Sequence, residues 1–265
     1  MKISFIGFGN IAKAMSQGLI QDNKNELRAA SPSLPLGRNQ QGIKTYPDNL
    51  AVISEADIII LAIKPALMDK VFTQIKTEIP PDCLVVTVAS GISLNWFAKH
   101  SPKTAIVRAM PNIAASIGKS ATPLIANAFV TKKQKQLAEQ IFSSIGIITW
   151  TEREADIDAF TALSGSGPAY VFMFMEAMIK AAVDFGITEK IAKSFALQTV
   201  NGALSYAVES KLQLSELRQM VTSPAGTTAA ALEVLKQHHF DDVIHAAMKA
   251  AQDRAQQLGN LLEEK

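Results

Sequence analysis

The sequence predicts an α/β protein in which a doubly wound, mostly parallel sheet is followed by an all-helical half. Up to residue 152, short aliphatic runs alternate with helical patterns, and strands that alternate with helices form parallel sheets. Beyond that residue the strand-like runs stop, and long stretches rich in Ala, Leu, Met and Lys are separated by Gly and Pro. We therefore predict a sheet domain over residues 1–152 and a helical domain over residues 153–265.

Each element follows from its local pattern. Continuous aliphatic runs predict strands at Lys2–Ile6, Leu27–Ala30, Asp57–Ile63, Leu84–Ala89, Ala105–Ala109 and Ile147–Thr149. A helix is expected over Ile11–Asp22, and the second half predicts helices at Ala155–Leu163, Pro168–Gly186, Glu189–Glu209, Leu214–Val221, Thr227–His238 and Asp241–Gly259. The later helices carry broader apolar faces than one small bundle can bury, which predicts a subunit interface.

A glycine motif directly follows the first strand. Gly7, Gly9 and Ala12 form a G-x-G-x-x-A pattern that also opens the first helix. In this context the first glycine allows a tight turn, and the second lets backbone N–H groups approach a pyrophosphate. We expect Gly7, Gly9, Asn10 and Ile11 to bind a dinucleotide, which makes residues 1–152 a Rossmann-type domain. The alternative is a purely structural strand-to-helix turn.

The second strand indicates which dinucleotide is bound. NAD sites place an acidic residue there, but no Asp or Glu lies between Leu27 and Gly37. Ser31 and Ser33 can donate to a 2′-phosphate, with Arg38 nearby as a counter-charge. We expect NADP(H), with NAD(H) as a second cofactor. The alternative is a proline-rich surface turn with a solvated arginine.

Other candidate cofactor residues follow later strands. In open parallel sheets, ligands bind beyond the carboxyl ends of the strands. The residues that end these strands are Ala62, Ile63, Lys64 and Pro65 on one, Ala89, Ser90 and Gly91 on the next, and Asn112 beyond a third. The amide of Asn112 can donate and accept near a nicotinamide. The alternatives are an ordinary solvated Lys64 and a turn-forming Asn112.

Two loops between the predicted helices of the second half differ in composition from the helices around them. The segment 163–170 places two glycines and Pro168 between helices, and the segment 221–228 does the same with Pro224 and Gly226. Each creates a helix start lined with hydroxyl groups, which suits a carboxylate. The alternative for each is plain helix capping.

Composition argues against several other classes of protein. The net charge is +2, and the densest cationic segment, 132–135, reads as a solvated helix start, so nucleic acid is not an expected partner. The apolar stretch Ala169–Val183 carries Glu176 and Lys180 and is shorter than the ~20 residues of a membrane span. A single cysteine, Cys83, beside a predicted strand fits a reducing, cytoplasmic environment and is not expected to be catalytic. No metal-binding spacing is present, so no metal is expected.

Several motifs together resemble one enzyme family over almost the whole chain. They are Phe5-Ile6-Gly7-x-Gly9-Asn10, Lys64-Pro65, Arg108-x-Met110-Pro111-Asn112, Ser164-Gly165-Ser166-Gly167-Pro168-Ala169-Tyr170 and Thr222-Ser223-Pro224-x-Gly226-Thr227-Thr228. In these motifs the chain resembles pyrroline-5-carboxylate reductase. The resemblance implies reduction of L-1-pyrroline-5-carboxylate, a small cyclic imino acid, to L-proline by NAD(P)H. It also implies a homodimer formed through the helical halves, or a pentamer of such dimers.

The resemblance assigns roles to individual positions. Ser223 and the backbone N–H groups of Thr227 and Thr228 would hold the substrate carboxylate, and the Thr228 hydroxyl would be the catalytic group near the imine nitrogen. Asn49 matches a position on the adenosine side of the cofactor. The remaining substrate-binding positions implied are Gly226, Ser166 and Gly167. One departure is Ala225, which stands where the family usually has glycine and puts the fine geometry of that loop in doubt.

Two other functions remain open on this scaffold. The first is a relative of the β-hydroxyacid dehydrogenases, which typically present a catalytic lysine followed by Asn. Lys180 is followed by Ala-Ala and Lys193 by Ser-Phe, which disfavours that option. The second is a non-catalytic NADPH-binding regulator, against which the intact segment 222–228 argues.

Overall fold

The computed structural model describes residues 1–20 and 25–263, with side chains up to residue 261. These residues form a nine-stranded sheet in the order β3-β4-β2-β1-β5-β6-β7-β8-β9. The strands are β1 Lys2–Ile6, β2 Glu26–Ala30, β3 Gly37–Arg38, β4 Lys44–Tyr46, β5 Ile58–Leu61, β6 Leu84–Thr87, β7 Ile106–Ala109, β8 Ser120–Ala126 and β9 Gly146–Trp150.

The sheet is doubly wound about its first strand. β1 pairs in parallel with β2 on one side and with β5 on the other. The chain therefore runs outward through β2 and β4 and then returns to build β5, β6 and β7 on the opposite side. Two pairs are antiparallel, β3 with β4 and β7 with β8, so the prediction of a mostly parallel sheet is confirmed.

Helices cover both faces of this sheet. The α-helices are α1 Asn10–Leu19, α2 Met68–Ile75, α3 Leu94–His100, α4 Lys132–Ser144, α5 Glu154–Phe160, α6 Gly167–Asp184, α7 Glu189–Glu209, α8 Leu214–Met220, α9 Thr227–Gln237 and α10 Phe240–Glu263. One core cluster contains Phe5, Met15 and Phe142. The other contains Phe72, Trp96 and Phe97 on the opposite face. Every residue of β5 and β6 is buried, as their aliphatic runs predict.

The residues group into two compact units. One comprises residues 1–168 with 250–265, and the other comprises residues 169–249. The boundary at residue 152 marks where the strands stop and stays a prediction of the domain division. Helix α10 runs from the second unit into the first, so its last turns belong with the sheet.

The second unit buries little of its apolar surface within one chain. None of the described side chains of α6, α8 and α9 is buried, and α7 buries only Ala192 and Ala196. Phe185 is 83% exposed and Phe195 is 71% exposed. Patches of this kind mark protein interfaces, so the unit has the surface expected of a subunit contact. Among the described helices, none has the length and apolar character needed to cross a bilayer.

Burial predicts that the lone cysteine is unreactive. Cys83 is 3% exposed, and this burial raises the pKa of its thiol to about 12. At pH 8 only about one thiol in 10⁴ is then ionised. Native protein should therefore resist alkylation by iodoacetamide at pH 8 and should react fully once it is unfolded in guanidinium, as measured by mass spectrometry. Rapid labelling of the native protein would contradict this account.

Candidate functional site

The turn after β1 lies at the point where the sheet changes winding direction. The Gly7 N–H donates to the Ala30 carbonyl at 2.8 Å, and Gly7 has φ +83°. A Cβ atom at Gly7 would lie 2.5 Å from the Ala62 carbonyl oxygen. Only glycine fits here, because the ends of β1, β2 and β5 converge on this residue. Open α/β sheets bind ligands in the crevice at such a switch point.

The start of α1 is suited to a phosphate group. Its first internal bond runs from the Lys13 N–H to the Gly9 carbonyl at 2.9 Å, so the preceding N–H groups have no helical acceptor. Among the described residues no side chain caps this start, and no atom lies within 4 Å of a Cβ built on Gly9. Free N–H groups and the positive end of the helix dipole are therefore open to an anion above Gly9.

The structure separates the serines predicted to bind the 2′-phosphate from the arginine. Ser31 and Ser33 follow the carboxyl end of β2, with their hydroxyl oxygens 3.2 Å apart. Arg38 instead pairs with Lys44 in the antiparallel β3–β4 ladder, which returns the chain toward the amino end of the sheet. Its Nη1 donates to the Gly42 carbonyl at 2.7 Å, and it lines a cavity with Asn25 and Glu26. The interpretation of Arg38 as a counter-charge beside the serines is therefore wrong.

The other predicted cofactor residues follow the carboxyl ends of neighbouring parallel strands. Lys64 precedes a 3₁₀ turn, Pro65–Leu67, that comes shortly after β5. Gly91, in the loop after β6, has φ +79°, and a Cβ there would lie 3.0 Å from the backbone of Leu258 and Gly259 in α10. No local pattern in the sequence predicts this close contact with the last helix. Ala62, Ile63, Ala89 and Ser90 complete these two loops.

The two candidate asparagines are nearly buried. Asn49 is 9% exposed, and its Nδ2 donates to Gln74 Oε1 at 3.1 Å. Asn112 is 8% exposed; its Oδ1 accepts from the Ala114 N–H at 3.0 Å, and its Nδ2 donates to the Ser164 carbonyl at 2.9 Å. The amide of Asn112 thus has protein partners on both atoms, whereas the sequence suggested a nicotinamide partner. Its role in cofactor binding stays a prediction.

Helix α5 ends in one π-helical turn, Thr161–Gly165, that sequence reasoning missed. The Ser166 N–H donates to the Thr161 carbonyl at 2.8 Å, five residues back. This turn precedes Gly167, where α6 begins, so Ser166 and Gly167 lie at the junction. Single π-turns inside helices occur often at functional sites.

A buried arginine holds α5 against the sheet. Arg108 of β7 is 4% exposed, and its guanidinium reaches Glu154 at 2.9 Å and Asp158 at 3.2 Å. Glu154 Oε1 also accepts the Leu94 N–H at the start of α3, at 2.8 Å. The sequence showed Arg108 only as part of a motif, because its partners lie about fifty residues away in the chain. The cluster fixes the helix that leads into the π-turn.

In the helical unit, the segment 223–228 forms the start of α9. Its first internal bond runs from the Ala230 N–H to the Gly226 carbonyl at 3.1 Å, which leaves the N–H groups of Thr227, Thr228 and Ala229 without helical acceptors. No described side chain caps this start. A Cβ on Gly226 would collide with the Ser223 hydroxyl oxygen, so a side chain at residue 226 would displace the hydroxyl of this exposed serine. Free N–H groups at a helix start and a neighbouring hydroxyl are donors of the kind that bind anions.

The departure at Ala225 is visible in the backbone. Ala225 has φ +55°, in the left-handed region that favours glycine. Since the Cβ of an L-residue is crowded there, the loop holds a strained alanine where glycine would be relaxed.

Among the described residues, no group of three or more His, Cys, Asp or Glu side chains is placed to hold a metal ion.

Family models match both parts of the chain. The model described as pyrroline-5-carboxylate reductase dimerisation matches residues 154–258. The model described as NADP oxidoreductase, coenzyme F420-dependent, matches residues 2–91. The two matches cover the helical segment and the glycine-motif segment respectively.

Full-length relatives agree with these matches. The chain is 36% identical to the pyrroline-5-carboxylate reductase of Pseudomonas aeruginosa over 98% of both chains. It is 36% identical to that of Methanosarcina acetivorans over 97% of this chain and 98% of the relative.

Solved structures give the same result. The pyrroline carboxylate reductase of Plasmodium falciparum with NADP bound matches with a TM-score of 0.91 at 28% identity, over 98% of both chains. The pyrroline-5-carboxylate reductase of Coxiella burnetii matches with a TM-score of 0.87 at 37% identity, over 97% of both chains.

The strained loop yields a stability prediction. Ala225→Gly should raise the free energy of unfolding by about 0.5–1 kcal/mol, because relief of the positive φ outweighs the entropy that glycine adds to the unfolded chain. The shift should appear in the urea midpoint at fixed protein concentration.

Two variants control for this effect. His239→Gly acts at the other non-glycine residue with positive φ, +52°, and should give a similar gain. Ala225→Val should destabilise the protein, because β-branched residues tolerate this region poorly. A loss of stability in Ala225→Gly together with a gain in His239→Gly would refute the strain at residue 225.

Proposed function

The chain belongs to the pyrroline-5-carboxylate reductase family, and from this premise we propose that the start of α9 holds the substrate carboxylate. The enzyme reduces L-1-pyrroline-5-carboxylate to L-proline with NAD(P)H, the last step of proline biosynthesis. The agreement over the full chain decides against a β-hydroxyacid dehydrogenase and against a non-catalytic regulator.

NADPH absorbance should fall when pyrroline-5-carboxylate is added and should stay constant without it. Failure to consume NADPH would refute the activity.

The observation that carries the proposal is the uncapped start of α9. Free N–H groups at Thr227 and Thr228 and the exposed hydroxyl of Ser223 present donors to one anion. Gly226 keeps the Ser223 hydroxyl close to the helix start, since any side chain there would displace it. We assign Ser166 and Gly167, at the other loop, to the substrate ring because they too lie at a helix start.

Reduction of an imine makes modest demands on the protein. The bound reduced nicotinamide supplies a hydride, which the electrophilic imine carbon accepts without a metal. Orientation of the substrate then supplies most of the rate. We assign the Thr228 hydroxyl to the imine nitrogen, where it orients the ring and relays a proton from solvent. A threonine hydroxyl is too weak an acid to act as more than a relay.

NADP(H) is the cofactor, and the first unit has the features to hold it. We propose that the N–H groups above Gly9, including those of Asn10 and Ile11, bind the pyrophosphate. Ser31 and Ser33 are proposed to donate to the 2′-phosphate, and Asn49 to contact the adenosine side. The loops 62–65 and 89–91 are proposed to line the nicotinamide half. Without an acidic residue after β2, NAD(H) is proposed as a second, weaker cofactor.

The enzyme is a homo-oligomer that acts on a small molecule. We propose a dimer formed through the apolar faces of α6 and α7, or a pentamer of such dimers. The exposed Phe185 and Phe195 support an interface in this unit. We also propose that it works in the cytoplasm, on the basis of one buried thiol, and that nucleic acid and membranes are not its partners.

Alanine substitutions at the two motif glycines should affect different properties: cofactor affinity at Gly9 and stability at Gly7. Gly9→Ala should leave the unfolding midpoint unchanged, because no described atom lies near the added methyl group. The same methyl group should block the approach of the pyrophosphate and so raise the Kd of NADPH at least tenfold. Gly7→Ala should cost about 2–4 kcal/mol of stability, because it combines a positive φ with a clash against Ala62. Fluorescence titration and urea unfolding measure the two effects. Equal NADPH affinity in Gly9→Ala and native enzyme would contradict the assignment.

Two adjacent threonines test the substrate loop. Thr228→Ala should lower kcat about 10- to 100-fold without abolishing turnover, because only a hydrogen-bonding relay is lost. Thr227→Ala is the matched control, since only its backbone N–H is used, and its kinetics should stay within about twofold of native. Ser223→Ala should raise KM for the imine about tenfold by removing one donor to the carboxylate. Similar losses in both threonine variants would argue against a specific role for the Thr228 hydroxyl.

A further inference from the structure

We propose that Asn112 is a positioning residue for the reductase reaction. Its side-chain amide fixes the π-turn Thr161–Gly165 to the carboxyl end of β7, and so places the junction formed by Ser166 and Gly167. This inference rests on the proposed function, which assigns that junction to the substrate.

The amide is buried and engaged on both sides. Asn112 Nδ2 donates to the Ser164 carbonyl at 2.9 Å, and Oδ1 accepts the Ala114 N–H at 3.0 Å. The backbone N–H of Asn112 donates to Ser120 Oγ at 3.1 Å, so the residue itself is held in place. Loss of the Nδ2 donor would leave the Ser164 carbonyl without this partner.

The sequence explains why Ser164 needs a donor from outside the helix. In an α-helix its carbonyl would accept from the residue four positions on, which is Pro168 and has no N–H. The chain responds with a π-turn, closed by the Ser166 N–H bond to the Thr161 carbonyl at 2.8 Å. The Asn112 amide supplies the donor that Pro168 lacks. The Ser166–Thr161 bond closes the turn, and the Asn112 contact fixes the turn, and with it Ser166, relative to the sheet.

Asn112 also connects the π-turn to the cofactor helix. It caps the 3₁₀ segment Ile113–Ile117. That segment lies directly against α1, since a Cβ at Gly18 would be 2.5 Å from the Ala115 carbonyl oxygen. A single amide thus links the helix whose start is proposed to bind pyrophosphate with the junction proposed to contact the substrate. Hydride transfer depends on such alignment, and a displacement of about 1 Å can cost about 100-fold in rate.

The test compares two asparagines whose side-chain amides bind backbone groups beyond opposite ends of β7. Asn112→Asp keeps the size and the Oδ1 acceptor but replaces the donor to Ser164 with an oxygen. Asn127→Asp is the matched control: Asn127 Nδ2 donates to the Thr104 carbonyl at 2.8 Å, and Oδ1 accepts the Ile106 N–H at 3.1 Å, beside the amino end of β7. Both variants lose one amide–carbonyl bond, but only Asn112 lies on the site edge.

For Asn112→Asp we expect kcat/KM for the imine to fall about 10- to 100-fold, while the Kd of NADPH changes less than about threefold. Amide hydrogen exchange over residues 161–167 should accelerate in this variant and stay native in Asn127→Asp, which should also retain native kinetics. Three results would overturn the proposal: unchanged kinetics in Asn112→Asp, an equal kinetic loss in Asn127→Asp, or a loss confined to NADPH affinity, which would make Asn112 a direct cofactor ligand. Native enzyme serves as the reference for activity, so absence of native turnover would instead refute the proposed function.

Discussion

The site depends on one steric constraint, the convergence of three parallel strand ends on Gly7. The Gly7 N–H binds the end of β2, and the space where a Cβ would stand is filled by the residue that follows β5. This convergence exists because β1 lies between β2 and β5, at the change of winding direction. The opening of α1 and the loops after β2, β5, β6 and β7 then lie along one edge of the sheet. Every candidate cofactor residue except Asn49 lies in or near one of these connections, and Asn49 instead follows β4.

Much of this arrangement could be predicted from the sequence, because periodicity and glycine spacing are local signals. The aliphatic runs gave β1, β5 and β6, and the Glu189–Glu209 helix agrees with its predicted bounds. Strand β8 was missed because Pro123 interrupts it, and proline inside a run argues against an interior strand. The π-turn was missed because its residues continue a helical pattern. The position of Arg38 was misjudged because β3 reverses the chain, and closeness in sequence to Ser33 did not become closeness in space.

Long-range polar contacts account for the rest of what the sequence left hidden. Arg108 lies in β7 and Asn112 lies shortly beyond its carboxyl end, and each binds a partner about fifty residues on, Arg108 in α5 and Asn112 at the π-turn. Neither contact has a local signature, since each residue taken alone reads as an ordinary strand arginine or turn asparagine. Removal of either partner would leave a buried polar group unsatisfied, which is costly in a low-dielectric interior. Arg108 within β7 thereby holds helix α5 to the sheet, and Asn112 just beyond β7 holds the π-turn.

The second unit poses a different physical problem, because one chain does not give it a core. Its helices expose Phe172, Met173 and Phe195, while the sheet unit fully buries aromatic side chains such as Phe5, Phe72 and Phe97. Apolar burial is the main favourable term in folding, so helices that bury almost nothing alone must gain stability from another copy. In such a protein the folded state and the assembled state are coupled, and apparent stability rises with protein concentration. The loop at α9 that is proposed to bind the substrate belongs to this unit, so we expect its geometry to depend on assembly, whereas the glycine-motif turn is held by contacts within a single chain.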